Sequence, residues 1–333
     1  MFGTMMDNKP SSVDPASPAA TEDGQQATSS SSIPSPSASP LSHGRKSALH
    51  QFFVGPDGFY AVPRWLLYLV MVWFVFQIEG WLVASIQTHL NNAWWQLTIE
   101  TCMALAAIIP AFVMARIDSR PFGDFGLPSR RAFGRNFWVG ALWGIGSLSV
   151  LMLILRASGG FEFGALALHG TRALKFAAYY AVFFLITGFF EDFLMRGYSQ
   201  WVLARGINFW PAATFLSIAF GYIHGRNPGE TTIGLVAAGL IGFFFCLTLR
   251  RTGDLWWAVG FHMAWDWGES YLYSVPDSGT YLPGHLLNST FHGPMWLTGG
   301  SVGPEGSYLI FAVLVALWFV FDRVYPEVKY RMD

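Results

Sequence analysis

Charge is what this chain has least of. Asp, Glu, Lys and Arg make up 12% of its 333 residues, where soluble domains carry roughly 25%. The deficit points away from a soluble globular protein and towards an integral membrane one. Net charge is −1, so no basic face for nucleic acid is available. Only two cysteines occur, Cys102 and Cys246. Both lie inside apolar runs, which excludes a disulfide framework and makes them small core residues. No H-E-x-x-H string is present, which removes the commonest helical zinc-protease signature. The first residues contain no apolar stretch of the kind a secretory signal peptide needs, so none is expected.

What the chain has instead is apolar surface. It is 53% hydrophobic and 17% aromatic, with a mean hydropathy of +0.37. Covering a bilayer takes about 20 apolar residues in helical form. Eight stretches approach that: 65–86, 93–115, 137–155, 173–203, 210–224, 231–249, 255–273 and 308–324. None alternates as a barrel strand would, and open sheets cannot span lipid. The expected fold is all-α, a polytopic membrane helix bundle of about eight transmembrane helices. Alternating the spans with the N-terminus in the cytoplasm places fourteen Lys and Arg residues on the cytoplasmic side. Only Arg156, Arg172, Lys175 and Arg226 fall opposite. By the positive-inside rule both termini are expected to be cytoplasmic. Residues 274–307 contain no Lys or Arg and are expected outside. The pairs Trp94–Trp95 and Trp256–Trp257 stand at helix starts, where interfacial belts occur. Residues 1–60 are rich in Ser and Pro and read as a disordered tail; residues 61–330 form the membrane domain.

Against this background a few ionisable residues stand out. Glu191, Asp192 and Arg196 lie in the fourth span, His224 in the fifth, His262 and Asp266 in the seventh. An ionisable group near the bilayer centre costs at least a few kcal/mol, so each is a functional-site candidate. Gly206 to Phe209 reads as a tight turn between spans four and five. Glu191 is sixteen residues before residue 207 and His224 seventeen after it. On two antiparallel helices they reach about the same depth, where a carboxylate and an imidazole can jointly hold a water. Asp192 and Arg196 are one turn apart and can pair. His262 and Asp266 share that spacing, so the carboxylate can orient the ring. Counted from the start of span seven, His262 lies shallower than Glu191, unless that span starts deeper.

The competing reading is structural, since polar side chains also join transmembrane helices. Glu79, Glu100 and Glu269 are read that way and left out of the site. Gly299–Gly303 matches G-x-S-x-G, but it lies in a Gly-rich loop rather than between strand and helix and is set aside. His285, His292 and Asp277 read as surface loop residues. Gly140 and Gly144 form a small-xxx-small step that suits helix packing.

The segments Glu191-Asp192-Phe193-Leu194-Met195-Arg196, Phe220-Gly221-Tyr222-Ile223-His224 and His262-Met263-Ala264-Trp265-Asp266 resemble the three motifs of the CAAX-protease and bacteriocin-processing family of intramembrane proteases. Those motifs run E-E-x-x-x-R, F-x-x-x-H and H-x-x-x-N or H-x-x-x-D. The resemblance covers roughly residues 120–273. It implies an endopeptidase in which Glu191 and His224 activate water, His262 and Asp266 stabilise or orient the tetrahedral intermediate, and Arg196 pairs with an acid. Asp192 replaces the second Glu, and Asp266 stands where Asn is usual. An ionised Asp only accepts hydrogen bonds, which suits orienting His262 better than holding an oxyanion.

The residues leave two catalytic routes open. Glu191 can serve as general base without a cofactor, or Glu191, His224 and His262 can bind a divalent metal such as zinc. The expected partners are the lipid bilayer and a membrane-associated protein or peptide, for which a prenylated CAAX tail is the family's best-known example. The expected location is a bacterial inner membrane. Two other functions use the same residues: a catalytically inactive scaffold or immunity-type protein, and a proton-coupled transporter. The transporter would call for inverted repeats and broken helices in matching halves, and no clear repeat is visible.

Overall fold

The computed structural model describes residues 54–55, 58–84, 87 and 92–331. Of the expected tail, residues 1–53 therefore lie outside the described residues. Val54–Gly55 pairs antiparallel with Gly58–Phe59, and the rest is overwhelmingly helical. The main helices are α1 (Ala61–Ala84), α2 (Asn92–Ile117), α3 (Arg135–Ala157), α4 (Gly170–Arg196), α5 (Tyr198–Ile207), α6 (Phe209–His224), α7 (Thr232–Thr252), α8 (Trp256–Trp267) and α9 (Leu309–Val324). The protein is an all-α membrane bundle.

Among the described residues, five helical stretches are long and apolar enough to cross a membrane: α1, α2, α3, the run Gly170–Ile207, and α7. The other three expected spans form shorter helices of 16, 12 and 16 residues in α6, α8 and α9. Two of the expected boundaries change. The fourth span is interrupted at Gly197, whose ψ of −115° separates α4 from α5. A Cβ there would lie 2.4 Å from the carbonyl oxygen of Phe193. The seventh span is α-helical only to Trp267 and continues as a π-helix over Gly268–Tyr273. Such wider turns are rare and gather at functional sites.

Side-chain distribution follows the solvent. Along α1 only Tyr68 is buried, and Trp73, Phe74, Ile78 and Trp81 face outwards. In water so much exposed apolar surface would be a liability; on a membrane helix it is the lipid face. Tyr68 donates to the carbonyl of Ala107 at 3.0 Å, tying α1 to α2.

Helix α8 is the centre of the bundle, and glycine puts it there. A Cβ on Gly140 would sit 1.9 Å from the carbonyl oxygen of Trp257, and one on Gly144 2.3 Å from that of Phe261. Gly260 answers from the other helix, with a Cβ 2.0 Å from the carbonyl of Phe137. The small-xxx-small step thus packs α3 backbone directly on α8 backbone. One expectation is corrected here. Trp256 and Trp257 are not an interfacial belt: they are 6% and 0% exposed. The Leu255 N–H donates to the Gly126 carbonyl at 2.7 Å and Trp256 Nε1 to the Pro128 carbonyl at 3.1 Å. The segment preceding α3 thus covers the start of α8, so α8 begins inside protein. Its inner end is held by Asp254, fully buried, which accepts from Asn136 Nδ2 at 3.1 and 3.0 Å and from the Trp256 N–H at 3.2 Å.

The Lys- and Arg-free loop is folded against the bundle. Phe161–Glu162 pairs antiparallel with Thr290–Phe291. Tyr180 donates its hydroxyl to Pro283, and Tyr271 donates to the Ala173 carbonyl at 2.9 Å. Ser301 of the G-x-S-x-G string donates to the Gly229 carbonyl at 2.8 Å, a loop tie.

Candidate active site

The last turns of α4 supply three charged groups. Asp192 and Arg196 are both fully buried, and Arg196 Nη1 donates to Asp192 Oδ1 at 3.1 Å. The guanidinium lies 4.2 Å from the centre of the Phe220 ring, a cation–π contact of up to about 2 kcal/mol when desolvated. Gly242 of α7 makes the room, since a Cβ there would approach Arg196 Nη2 to 2.2 Å. The arginine therefore joins α4, α6 and α7 through one buried head group.

His262 of α8 meets this end of α4. A Cβ at Gly188 would lie 3.1 Å from the Cβ of His262, so glycine again permits the approach. His262 Nδ1 is 3.5 Å from Asp192 Oδ2. Its Nε2 is 3.7 Å from Glu191 Oε2 and 3.5 Å from Asp266 Oδ2. One imidazole thus faces three carboxylates. Of the two depths left open for His262, the deeper one holds: the start of α8 is sunk in protein, and His262 reaches Glu191.

His224 closes α6. Its Nδ1 is 2.8 Å from the Phe220 carbonyl oxygen. A carbonyl can only accept, so Nδ1 carries the proton of the neutral ring and Nε2 keeps its lone pair. That lone pair is a proton acceptor for a water or a substrate group.

Glu191, His224, His262 and Asp266 all line one cavity of about 370 Å³. Phe183, Phe184, Phe245, Phe261, Ile310 and Leu314 give it apolar walls. An apolar pocket with a few converging polar groups is the usual form of a binding or catalytic site. Asp192 and Arg196 stand behind it, gripping each other. Among the described residues, the ligand atoms of Glu191, His224 and His262 do not gather within 4.8 Å of one another. As arranged here these three residues do not form a metal cradle.

The cavity also contains residues that the sequence either assigned elsewhere, as with Glu100 and Asp277, or did not mark at all. Glu100 of α2 lines it, as do Asn227, Asp277, Ser278 and Glu305. Asp277 is thus a partly buried wall residue rather than a surface one. Burial, with Asp266 and Glu305 adding repulsion, holds its carboxyl well above the usual carboxylate range. His285 and His292 stay apart from it: His285 contacts Tyr281 and Leu282, and His292 contacts Thr290 and Glu162. The only hint of Asp277 and Glu305 in the sequence is that they are acids in a loop without Lys or Arg. Glu79 on α1 is not among the lining residues.

Residues 173–268 match a family model described as type II CAAX prenyl endopeptidase Rce1-like. Over this stretch the chain is similar to the CAAX-protease family. The matched segment runs from the start of α4 to the end of α8 and contains Glu191, Asp192, Arg196, His224, His262 and Asp266. That similarity supports protease activity within a membrane in general terms. No curated protein and no solved structure matches the chain.

Proposed function

We propose that this protein is an intramembrane endopeptidase whose attacking water is activated by Glu191 and His224. One observation carries the reading: Glu191, His224, His262 and Asp266 line one cavity within the family-matched segment. Glu191 takes a proton from water as the water oxygen attacks the peptide carbonyl carbon. The neutral His224 accepts the water's second hydrogen at Nε2 and fixes its position. Negative charge then develops on the carbonyl oxygen. His262, held at Nδ1 by Asp192 and flanked by Asp266, offers its Nε2–H to that charge. As the C–N bond breaks, Glu191 passes its proton to the leaving nitrogen, so an amine and a carboxylic acid result. Glu191 is suited to this shuttle because its side chain stays 25% exposed.

The substrate is a membrane-associated peptide. The family description points to a prenylated tail, and the apolar cavity walls suit an isoprenoid beside an extended peptide. The reading also includes eight membrane helices, with α6, α8 and α9 as short spans packed among the five longer ones. Both termini lie in the cytoplasm of a cell with a bacterial inner membrane, the arrangement that puts most Lys and Arg inside.

The test is cleavage of prenylated and unprenylated membrane-anchored peptides by detergent-purified protein. Glu191→Gln is expected to cost about 10²–10⁴-fold in rate, the usual share of a general base. Activity is expected to survive a zinc-selective chelator. Full activity in Glu191→Gln would overturn the reading, and loss with chelator restored by zinc would convert it to a metal mechanism.

A further inference from the structure

A second group of acids lies beside the cavity. Asp277 and Glu305 come from opposite ends of the loop, and Glu269 reaches them from the π-helical turn after α8. One carboxylate oxygen of each lies within 4.8 Å of the others. The loop backbone fixes this meeting. The Gly279 N–H donates to the Val302 carbonyl at 3.0 Å. A Cβ on Gly303, where φ is +98°, would strike the Pro276 carbonyl at 2.1 Å. The two loop ends are therefore in direct backbone contact.

Glu269 provides an observation independent of that proximity. It is fully buried, and neither carboxylate oxygen has a hydrogen-bond partner. A buried carboxylate without partners costs several kcal/mol, and this one is aimed into the pair of loop acids. Those two are already positioned by neutral donors. Ser278 Oγ donates to Glu305 Oε2 at 2.5 Å and Trp265 Nε1 to Glu305 Oε1 at 3.2 Å. Ser270 Oγ lies 3.4 Å from Asp277 Oδ2. Positive charge is what the group lacks. Residues 274–307 contain no Lys or Arg, and no ion pair reaches any of the three acids among the described residues.

We infer that Glu269, Asp277 and Glu305 bind one hard divalent cation, calcium in preference to zinc, which clasps the loop to the end of α8. Three carboxylates with no nitrogen or sulfur donor suit calcium, magnesium or manganese. The cation would be structural and would lie outside the catalytic set, since Glu269 does not line the cavity. It would still act on that set. Asp277 and Glu305 are cavity walls, so the clasp decides whether the loop closes the cavity above His262 and Asp266. The inference stands independently of the proposed proteolysis.

The test uses full-length protein in detergent, stripped with chelator, and reads binding rather than cleavage. Calcium chloride titrated by calorimetry is expected to bind at one site per chain and to raise the melting temperature. Magnesium and manganese serve as comparators. Asp277→Asn and Glu305→Gln are each expected to weaken calcium at least about 10-fold, since ligand charge sets affinity in such sites. Terbium, a calcium substitute whose emission nearby Trp265 would sensitise, is expected to lose its signal in the same two variants and on adding calcium. Because both variants alter a loop, their folding is checked by melting in chelator. No saturable calcium binding by the wild type would overturn the inference. So would equal calcium binding by the wild type and both variants.

Discussion

One set of acids lies beside α8 at His262 and another gathers just past its end, and the protein treats them in opposite ways. Asp192 is matched inside the bundle: Arg196 grips it, Phe220 backs the guanidinium, and Gly242 clears the space. Glu269, Asp277 and Glu305 have no such internal cation. The difference follows from where each set is built. Asp192 and Arg196 share one helix at i,i+4 spacing, so the pair forms together with the helix. The second set is assembled from a helix end and two loop ends, and it depends on the loop's tertiary folding. A charge deep in a membrane protein is best neutralised by its own helix, before any partner helix arrives. Acids at the rim can wait for something from solution.

Breaking the matched set is expected to have the largest effect. Arg196→Met leaves Asp192 buried and unpaired, which costs about 3–5 kcal/mol, read as loss of folded protein after membrane extraction. The double variant Arg196→Met with Asp192→Leu removes both charges and is expected to recover most of that loss. A smaller effect is expected where α3 meets α8. Gly144→Val forces two backbones apart at a cost of about 1–3 kcal/mol, visible as a lower melting temperature in detergent. The smallest effect is the one that separates the two sets most sharply. In chelator, Asp277→Asn is expected to leave melting unchanged or raise it slightly, by up to about 1 kcal/mol, because it relieves repulsion. Asp192→Asn under the same conditions is expected to lower it. A drop of similar size in both would mean that the two sets are neutralised alike.

The legible part of this molecule was the part set by helical spacing. Asp192 with Arg196 and His262 with Asp266 are i,i+4 pairs, and short-range geometry needs no knowledge of the fold. The Gly140–Gly144 step was likewise readable, because a stripe of small side chains on a helix has little other use in lipid. Depth stayed open for His262. Hydropathy reports how apolar a segment is, and a helix start buried in protein looks the same as one at the membrane surface. Hence the Trp256–Trp257 pair resembled an interfacial anchor. The Gly197 interruption and the π-helical turn were also hidden, since neither has a Pro to mark it. Asp277 and Glu305 were illegible for a different reason. They are 28 residues apart in sequence, and only the glycine-permitted folding of the loop brings them together.

The α3–α8 crossing has a mechanical consequence. Where two helices touch through side chains, a change in one can be taken up by rotamers. Here carbonyl oxygens rest against glycine Cα atoms, so there is no side chain to yield. The contact works as an end stop: α8 can be displaced only as a rigid rod, along its axis or away from α3. One residue of axial slip is about 1.5 Å, and His262 stands 3.7 Å from Glu191. A methyl group at Gly140 or Gly144, chemically inert and outside the cavity, would therefore act as a shim that alters the spacing of His262 and Glu191 by distance alone.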